Sequence, residues 1–253
     1  MIALTRECSP FLNQCELTHL NRIPINIGKA NQQHRQYERA LEQMGFTVRR
    51  LPETPHLPDG VFVEDTAVVL PDIAVITRPG ADSRREETET MADVLKEYRQ
   101  LHFIEAPGTL DGGDILTLGK KVYIGHTERS NFEGILQFRD IVSHFGYEVT
   151  SVPVTGCLHL KSGVSALGEG RLLMNPDWIH PDYFEGFSLE YVPADEPYGA
   201  NVICYKNVAL CASGFAQTQS LLQQLGFDVI TTDQSELAKA EAGLTCCSVI
   251  IED

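Results

Sequence analysis

Ile115-Leu116-Thr117-Leu118-Gly119-Lys120-Lys121-Val122-Tyr123-Ile124-Gly125 reads as two short apolar runs joined by a tight Gly119-Lys120 turn, the pattern of a β-hairpin. The pattern recurs at 66–70 with 73–77, at 163–167 with 171–174 and at 201–205 with 208–211. Pro71-Asp72, Gly168-Glu169-Gly170 and Lys206-Asn207 form the turns. A period of roughly 40 to 50 residues marks a repeat architecture. Between hairpins, helical periodicity runs over 32–44, 84–99, 130–144 and 215–225. Three of these segments stop at a glycine suited to a left-handed C-cap, in Met44-Gly45-Phe46, Phe145-Gly146-Tyr147 and Leu225-Gly226-Phe227. A short strand follows each, at 47–51, 148–152 and 228–231. The unit is hairpin, helix, strand.

The fourth copy is the weakest, because Asn175-Pro176 and the aromatics between Trp178 and Phe187 replace a clear helix. The fifth hairpin is split, with 245–251 as one strand and 2–5 as its partner from the other end of the chain. Such a split closes a ring. The expected fold is α/β, a five-bladed α/β propeller with pseudo-fivefold repeats around a central site, with residues 1–253 as a single domain. The alternative, a doubly wound sheet, alternates single strands with helices, whereas every copy here carries a hairpin.

Formal net charge is −15, which argues against nucleic acid and favours a cationic ligand. No apolar run reaches membrane-span length and no signal-peptide pattern opens the chain, so the expectation is a cytoplasmic protein without a membrane partner. The seven cysteines lack C-x-x-C spacing, so neither a zinc site nor a disulfide framework is expected. Cys204, Cys211 and Cys247 lie in apolar strand patterns and read as small buried hydrophobes.

In equivalent copies, the residues just before each first hairpin strand gather at one end of the ring axis. These positions are polar: Glu64-Asp65-Thr66, Asp111-Gly112-Gly113-Asp114, His159-Leu160-Lys161-Ser162, Gly199-Ala200-Asn201 and Thr245-Cys246. Converging ionisable groups are costly to desolvate, so chemistry or a ligand is expected among them. Cys246 opens an apolar, β-branched run read as a strand, in which Cys246 and Cys247 face opposite sides. As a thiolate it is a candidate nucleophile, with His159 to serve it or to act as general acid and base. A satisfied core histidine is the alternative. Asp111 would orient the imidazole or merely start its turn, and Asp114 would cap that turn or line the site.

Asp59, Glu64 and Asp65 suit bidentate pairing with a planar guanidinium; a solvated acidic turn is the alternative. A metal is disfavoured, because the hard-cation loop pattern is lacking and a thiolate would be an odd neighbour. Arg84 and Arg129 open predicted helices, where a cation opposes the helix dipole. Holding the carboxylate of an amino-acid substrate would explain them, as would a surface salt bridge.

With these residues assembled, the chain resembles the dimethylarginine dimethylaminohydrolase family of the guanidino-group-modifying (pentein) superfamily, nearly end to end. The resemblance rests on Phe62-Val63-Glu64-Asp65, Thr77-Arg78-Pro79-Gly80-Ala81, Glu105-Ala106-Pro107-Gly108-Thr109, Leu110-Asp111-Gly112-Gly113-Asp114, Leu158-His159-Leu160-Lys161-Ser162 and Thr245-Cys246. It implies a five-bladed propeller with Cys246 as nucleophile, His159 as general acid then base, and Asp111 orienting His159. It implies guanidinium recognition by Asp59, Glu64 and Asp65, with Arg84 and Arg129 on the substrate carboxylate. Leu17 would offer its backbone from a mobile lid, and Ala240, where the family often has valine or isoleucine, a main-chain carbonyl near the substrate amine. The implied reaction hydrolyses methylated arginines to citrulline with no metal or organic cofactor. Arginine or agmatine deimination and non-catalytic arginine binding are the alternatives. The oligomeric state is left open, a homodimer included.

Overall fold

The computed structural model describes residues 1–168 and 170–252; Glu169, which the sequence reading expects in a hairpin turn, and Asp253 lie outside them. The chain opens with β1 (Ile2–Arg6), helix α1 (Ile27–Met44) and β2 (Thr47–Leu51), the two strands pairing in parallel. Then come β3 (Ala67–Val69), β4 (Ile73–Ile76), α2 (Glu87–Leu95) and β5 (Gln100–Phe103), followed by β6 (Ile115–Leu118), β7 (Lys121–His126), α3 (Phe132–Ser143) and β8 (Glu148–Pro153). The fourth copy is β9 (Val164–Gly168), β10 (Arg171–Met174) and β11 (Ser188–Tyr191), with a 3-10 turn, Pro181–Phe184, in place of the helix. After β12 (Ile203–Tyr205), β13 (Val208–Ala212), the helix Ala216–Gln224 and β14 (Asp228–Thr232), the chain closes with β15 (Val249–Ile251).

Among the described residues these strands make five three-stranded sheets. In each, an antiparallel hairpin carries a third strand parallel to its central one. The split blade forms as expected: Ile2 faces Ile251, Ala3 faces Ile250 and Leu4 faces Val249.

Local chemistry sets the helix ends. Asn26 accepts the N–H of Lys29, so α1 starts at Ile27, earlier than its apolar periodicity indicated. Asn131 caps α3 in the same way through Gly134. Gly45, Gly146 and Gly226 have φ of 100, 76 and 93°, the left-handed backbone their positions required. Arg84 belongs to a separate 3-10 turn, Asp82–Arg84, and Arg129 precedes the Asn131 cap, so neither stands in a helix's first turn. The dipole argument for them therefore fails, and their burial must be explained by partners. β5 escaped sequence reading because Gln-Leu-His-Phe offers no β-branched run.

The apolar core lies between neighbouring blades. Leu70, Ile73 and Val75 pack with Ile115, Val122 and Ile124 of the next sheet and with Ile135, Phe138 and Val142 of α3. Burying one such side chain contributes about 1.5–3 kcal/mol, so each blade depends on its neighbour. Tyr37 of α1 is fully buried and its hydroxyl lies 2.8 Å from Ser248 Oγ, which ties the helix to the segment leading into β15. No helix among the described residues is long and apolar enough to cross a membrane.

Candidate active site

The nucleophile candidate departs from its expected local structure. Thr245–Cys247 is a 3-10 turn, and pairing with β1 begins only at Val249. Turn bonds from Cys247 N to Leu244 O and from Ser248 N to Thr245 O set this geometry, so helical rather than strand geometry separates the two thiols. Cys247 is fully buried in the core, whereas Cys246 lines a small polar cavity and its sulfur accepts the N–H of Gly243 at 3.4 Å.

His159 stands just before the single helical turn Leu160–Gly163. Its Nε2 is 3.0 Å from Asp111 Oδ2, and its Nδ1 is 3.8 Å from Asp65 Oδ1. The ring rests on Gly113, where a Cβ would come within 2.6 Å of Nδ1, so only glycine leaves room for it. Asp111 is held in turn: Gly80 N donates to its Oδ1 at 2.9 Å, and Arg129 Nη1 lies 3.8 Å from its Oδ2. Asp114 sits behind the site and accepts from Ser130 Oγ, Thr127 Oγ1 and Leu160 N. It braces the His159 turn and does not line the cavity.

The acidic cluster has cationic partners that sequence distance concealed. Asp65 Oδ2 receives Arg84 Nη1 at 2.7 Å, and Glu64 Oε1 lies 2.7 Å from Lys161 Nζ. Arg84 also contacts Glu87 and the carbonyl of Phe62, so its guanidinium is largely committed to protein groups. Asp59 accepts the N–H of Glu16, at the start of the loop that carries Leu17.

Electrostatics follow from this packing. Burial alone would lower the His159 pKa, but the carboxylates of Asp65, Asp114 and Asp111 outweigh it and raise the imidazole to about 9. Burial would raise Asp65, yet His159 and Arg84 hold it near 2. Burial, with Glu64 and Asp65 nearby, pushes the Cys246 thiol above its ordinary range. This packing favours an imidazolium at His159 and a neutral thiol at Cys246 near pH 7. Asp65, Asp111 and His159 bring possible ligand atoms within 4.8 Å of one another. Arg84 against Asp65 and Arg129 against Asp111 already supply positive charge there, which opposes a metal ion.

Cys246, His159, Asp59, Asp65, Arg84, Arg129 and Ala240 all line one cavity of about 20 Å3. That is room for about one water molecule. Asp111 stands behind the imidazole, Glu64 behind Thr245, and Leu17 on the covering loop, packed against the core. Glu241 pins that loop: its carboxylate accepts the N–H groups of Thr18, His19 and Leu20, while Arg129 Nη2 donates to Thr18 Oγ1 at 3.0 Å. Removing the latch charge with Glu241→Gln is expected to speed alkylation of Cys246 by iodoacetamide about tenfold. An unchanged rate would show that the loop does not control access.

A family model described as "N,N dimethylarginine dimethylhydrolase, eukaryotic" matches residues 14–183. The N(G),N(G)-dimethylarginine dimethylaminohydrolase of Streptomyces coelicolor is 36% identical over 254 residues, covering 99% of this chain and 97% of the relative. The chain belongs to the dimethylarginine dimethylaminohydrolase family. The family's Pseudomonas aeruginosa enzyme is also 36% identical, over 88% of this chain and 89% of its own. A structure of dimethylarginine dimethylaminohydrolase from Pseudomonas aeruginosa, a cysteine-to-serine variant complexed with citrulline, superposes with a TM-score of 0.91 at 33% identity, covering 98% of this chain and 97% of that one. A dimethylarginine dimethylaminohydrolase structure in which a histidine-to-glycine variant forms an adduct with S-methyl-L-thiocitrulline gives 0.93 at 33%, covering 98% of each. The N-terminal domain of the arginine dihydrolase ArgZ, at 17% identity and 0.86, shares the five-bladed fold.

Sequence reasoning missed Glu241 and Lys161. Glu241 adjoins Ala240 and Lys161 sits within the His159 motif, but the partners that give them their roles are far away in sequence.

Proposed function

We propose that this protein hydrolyses the guanidinium C–N bond of Nω-methylated arginines, giving L-citrulline and a methylamine through a covalent adduct on Cys246, with residues 1–253 acting as one propeller domain. The observation that carries this reading is that the thiol of Cys246, the imidazole of His159 and the carboxylates of Asp59 and Asp65 line one cavity together with Arg84 and Arg129. A cationic planar head meets Asp59 and Asp65 there, with Glu64 beside them.

The bound guanidinium offsets the negative charge that keeps the Cys246 thiol protonated, and the thiol proton leaves to solvent. The thiolate attacks the guanidinium carbon. As the C–S bond forms, the bond to the methylated nitrogen breaks, and the His159 imidazolium gives that nitrogen its proton. The departed amine leaves a thiouronium. Neutral His159 takes a proton from water and hydroxide adds to the same carbon; as the C–S bond breaks, the departing sulfur takes up the hydroxyl proton, which restores the Cys246 thiol and leaves the C=O of the ureido group of citrulline. Asp111 holds the imidazole in place for both transfers. Arg129 takes the substrate carboxylate, with Arg84 adding positive charge from the wall. The backbone of Leu17 and the carbonyl of Ala240 receive the amino-acid end. None of these steps calls on a cofactor.

The test is a substrate panel with product identification. Asymmetric dimethylarginine and monomethylarginine should release citrulline faster than arginine or agmatine. A preference for arginine or agmatine overturns the reading in favour of a deiminase. Turnover of none of them, with no adduct on Cys246 from an amidine reagent, leaves a binding protein.

A further inference from the structure

Beside the cavity, four side chains from separate parts of the ring close on one another. Lys161 Nζ lies 2.7 Å from Glu64 Oε1. The other oxygen of Glu64 accepts the hydroxyl of Thr245 at 2.9 Å. Asn201 Nδ2 donates to that hydroxyl oxygen at 3.0 Å and to the main-chain carbonyl of Lys161 at 2.7 Å. Its Oδ1 accepts the N–H of Thr245 at 3.1 Å. The circuit is complete: Lys161, Glu64, Thr245, Asn201 and back to Lys161.

Each member belongs to an element that carries part of the site. Lys161 lies in the helical turn directly after His159, and Thr245 is the residue before Cys246. Asn201 occupies the corresponding position in the next copy, and it is buried, with both amide hydrogens and its oxygen engaged. The turn is pressed onto it so closely that a Cβ on Gly243 would come within 2.4 Å of Asn201 Oδ1. An interlocked amide of this kind sets position as well as filling space. Burial drives the Glu64 carboxyl upward and the Lys161 ammonium acts against that shift, so Lys161 favours the charged form that a cationic ligand needs.

Resting on the reaction proposed above, we infer that Asn201 and Lys161 are positioning residues, which fix the distance between the Cys246 turn and Glu64, the carboxylate beside the guanidinium site. Neither touches the reacting atoms. Asn201 acts through the main chain of the nucleophile turn, Lys161 through Glu64.

The experiment uses Asn201→Leu, which keeps volume without hydrogen bonds, Lys161→Met, which keeps the stem without charge, and the double variant. Asn201→Leu should lower kcat about 50-fold with KM changed less than about threefold, since an ångström-scale misplacement costs about that much. Lys161→Met should act mainly on KM and should cut the preference of Cys246 for cationic 2-chloroacetamidine over neutral iodoacetamide about tenfold. The double variant should lose less than the product of the single losses, because one circuit is broken twice. Should Asn201→Leu fail to fold, Thr245→Val removes the shared hydroxyl alone and should reproduce its kcat loss. Wild-type kcat in the folded Asn201 or Thr245 variant, an unchanged alkylation preference in Lys161→Met, or strictly multiplicative losses would each overturn the inference. A wild-type protein inactive on every methylarginine overturns the reaction reading instead. The alkylation ratio needs no turnover and still decides on the circuit.

Discussion

Cys246→Ser abolishes turnover, by a factor of at least about 10^4, while Cys247→Ser retains most of it, if the turn geometry assigns the nucleophile correctly. The two thiols are adjacent and chemically identical, so only placement separates them. Cys246 borders the cavity and accepts the N–H of Gly243, which helps a sulfur anion once one forms. Cys247 is fully enclosed by the cluster that contains Tyr37 and Leu41, where a charge would be stranded. A serine hydroxyl at 246 is too weakly acidic to replace the thiol in a site lined by Asp59 and Asp65. Citrulline release by both variants, checked with mass measurement of the trapped adduct, decides the matter. Activity in Cys246→Ser, or its loss in Cys247→Ser, would put the chemistry one residue later.

His159→Gln should lower kcat about 10^3-fold, the usual contribution of a positioned acid and base. With an activated leaving group that needs no protonation, the adduct should still form and should then accumulate, because its hydrolysis has lost the base. An adduct that turns over at the wild-type rate would remove His159 from the second half of the reaction. The same substitution reports on stability. The imidazole is raised to about 9 when folded, against about 6.5 when unfolded, so its contribution is complete below the unfolded value. That contribution, about 3 kcal/mol, is lost as pH climbs from about 6.5 through about 9. Wild-type Tm should fall across that window relative to His159→Gln. Parallel Tm curves would show that the buried imidazole does not change charge there.

The propeller was legible because its unit is local. A hairpin, a helix with a glycine stop and a strand each leave a short-range signature, and the split blade announced itself through apolar runs at both ends. The site was half legible. Residues beside the first hairpin strands do converge, as Cys246, His159 and Asp65 demonstrate. What stayed hidden are the bonds between copies. The run from Thr245 onward reads as unbroken strand, yet Asn201 and Glu64 take the backbone and hydroxyl of Thr245 and start a turn instead. The cationic partners of the acidic cluster, Lys161 and Arg84, left no sequence signal because they reach it from elsewhere in the chain. The loop carrying Leu17 has no periodicity to read, and its anchors Asp59, Arg129 and Glu241 are distant in sequence.

In the reaction proposed above, two of those anchors are also the groups that receive substrate. On that proposal Asp59 and Arg129 cannot grip an arginine head and tail at full strength while they also fasten the loop, so the loop competes with the ligand. Any dissociation constant measured on the protein then contains the opening equilibrium as a hidden factor, common to every ligand that must displace the loop. Ligands of unlike chemistry should therefore tighten in the same proportion when the fastening is loosened.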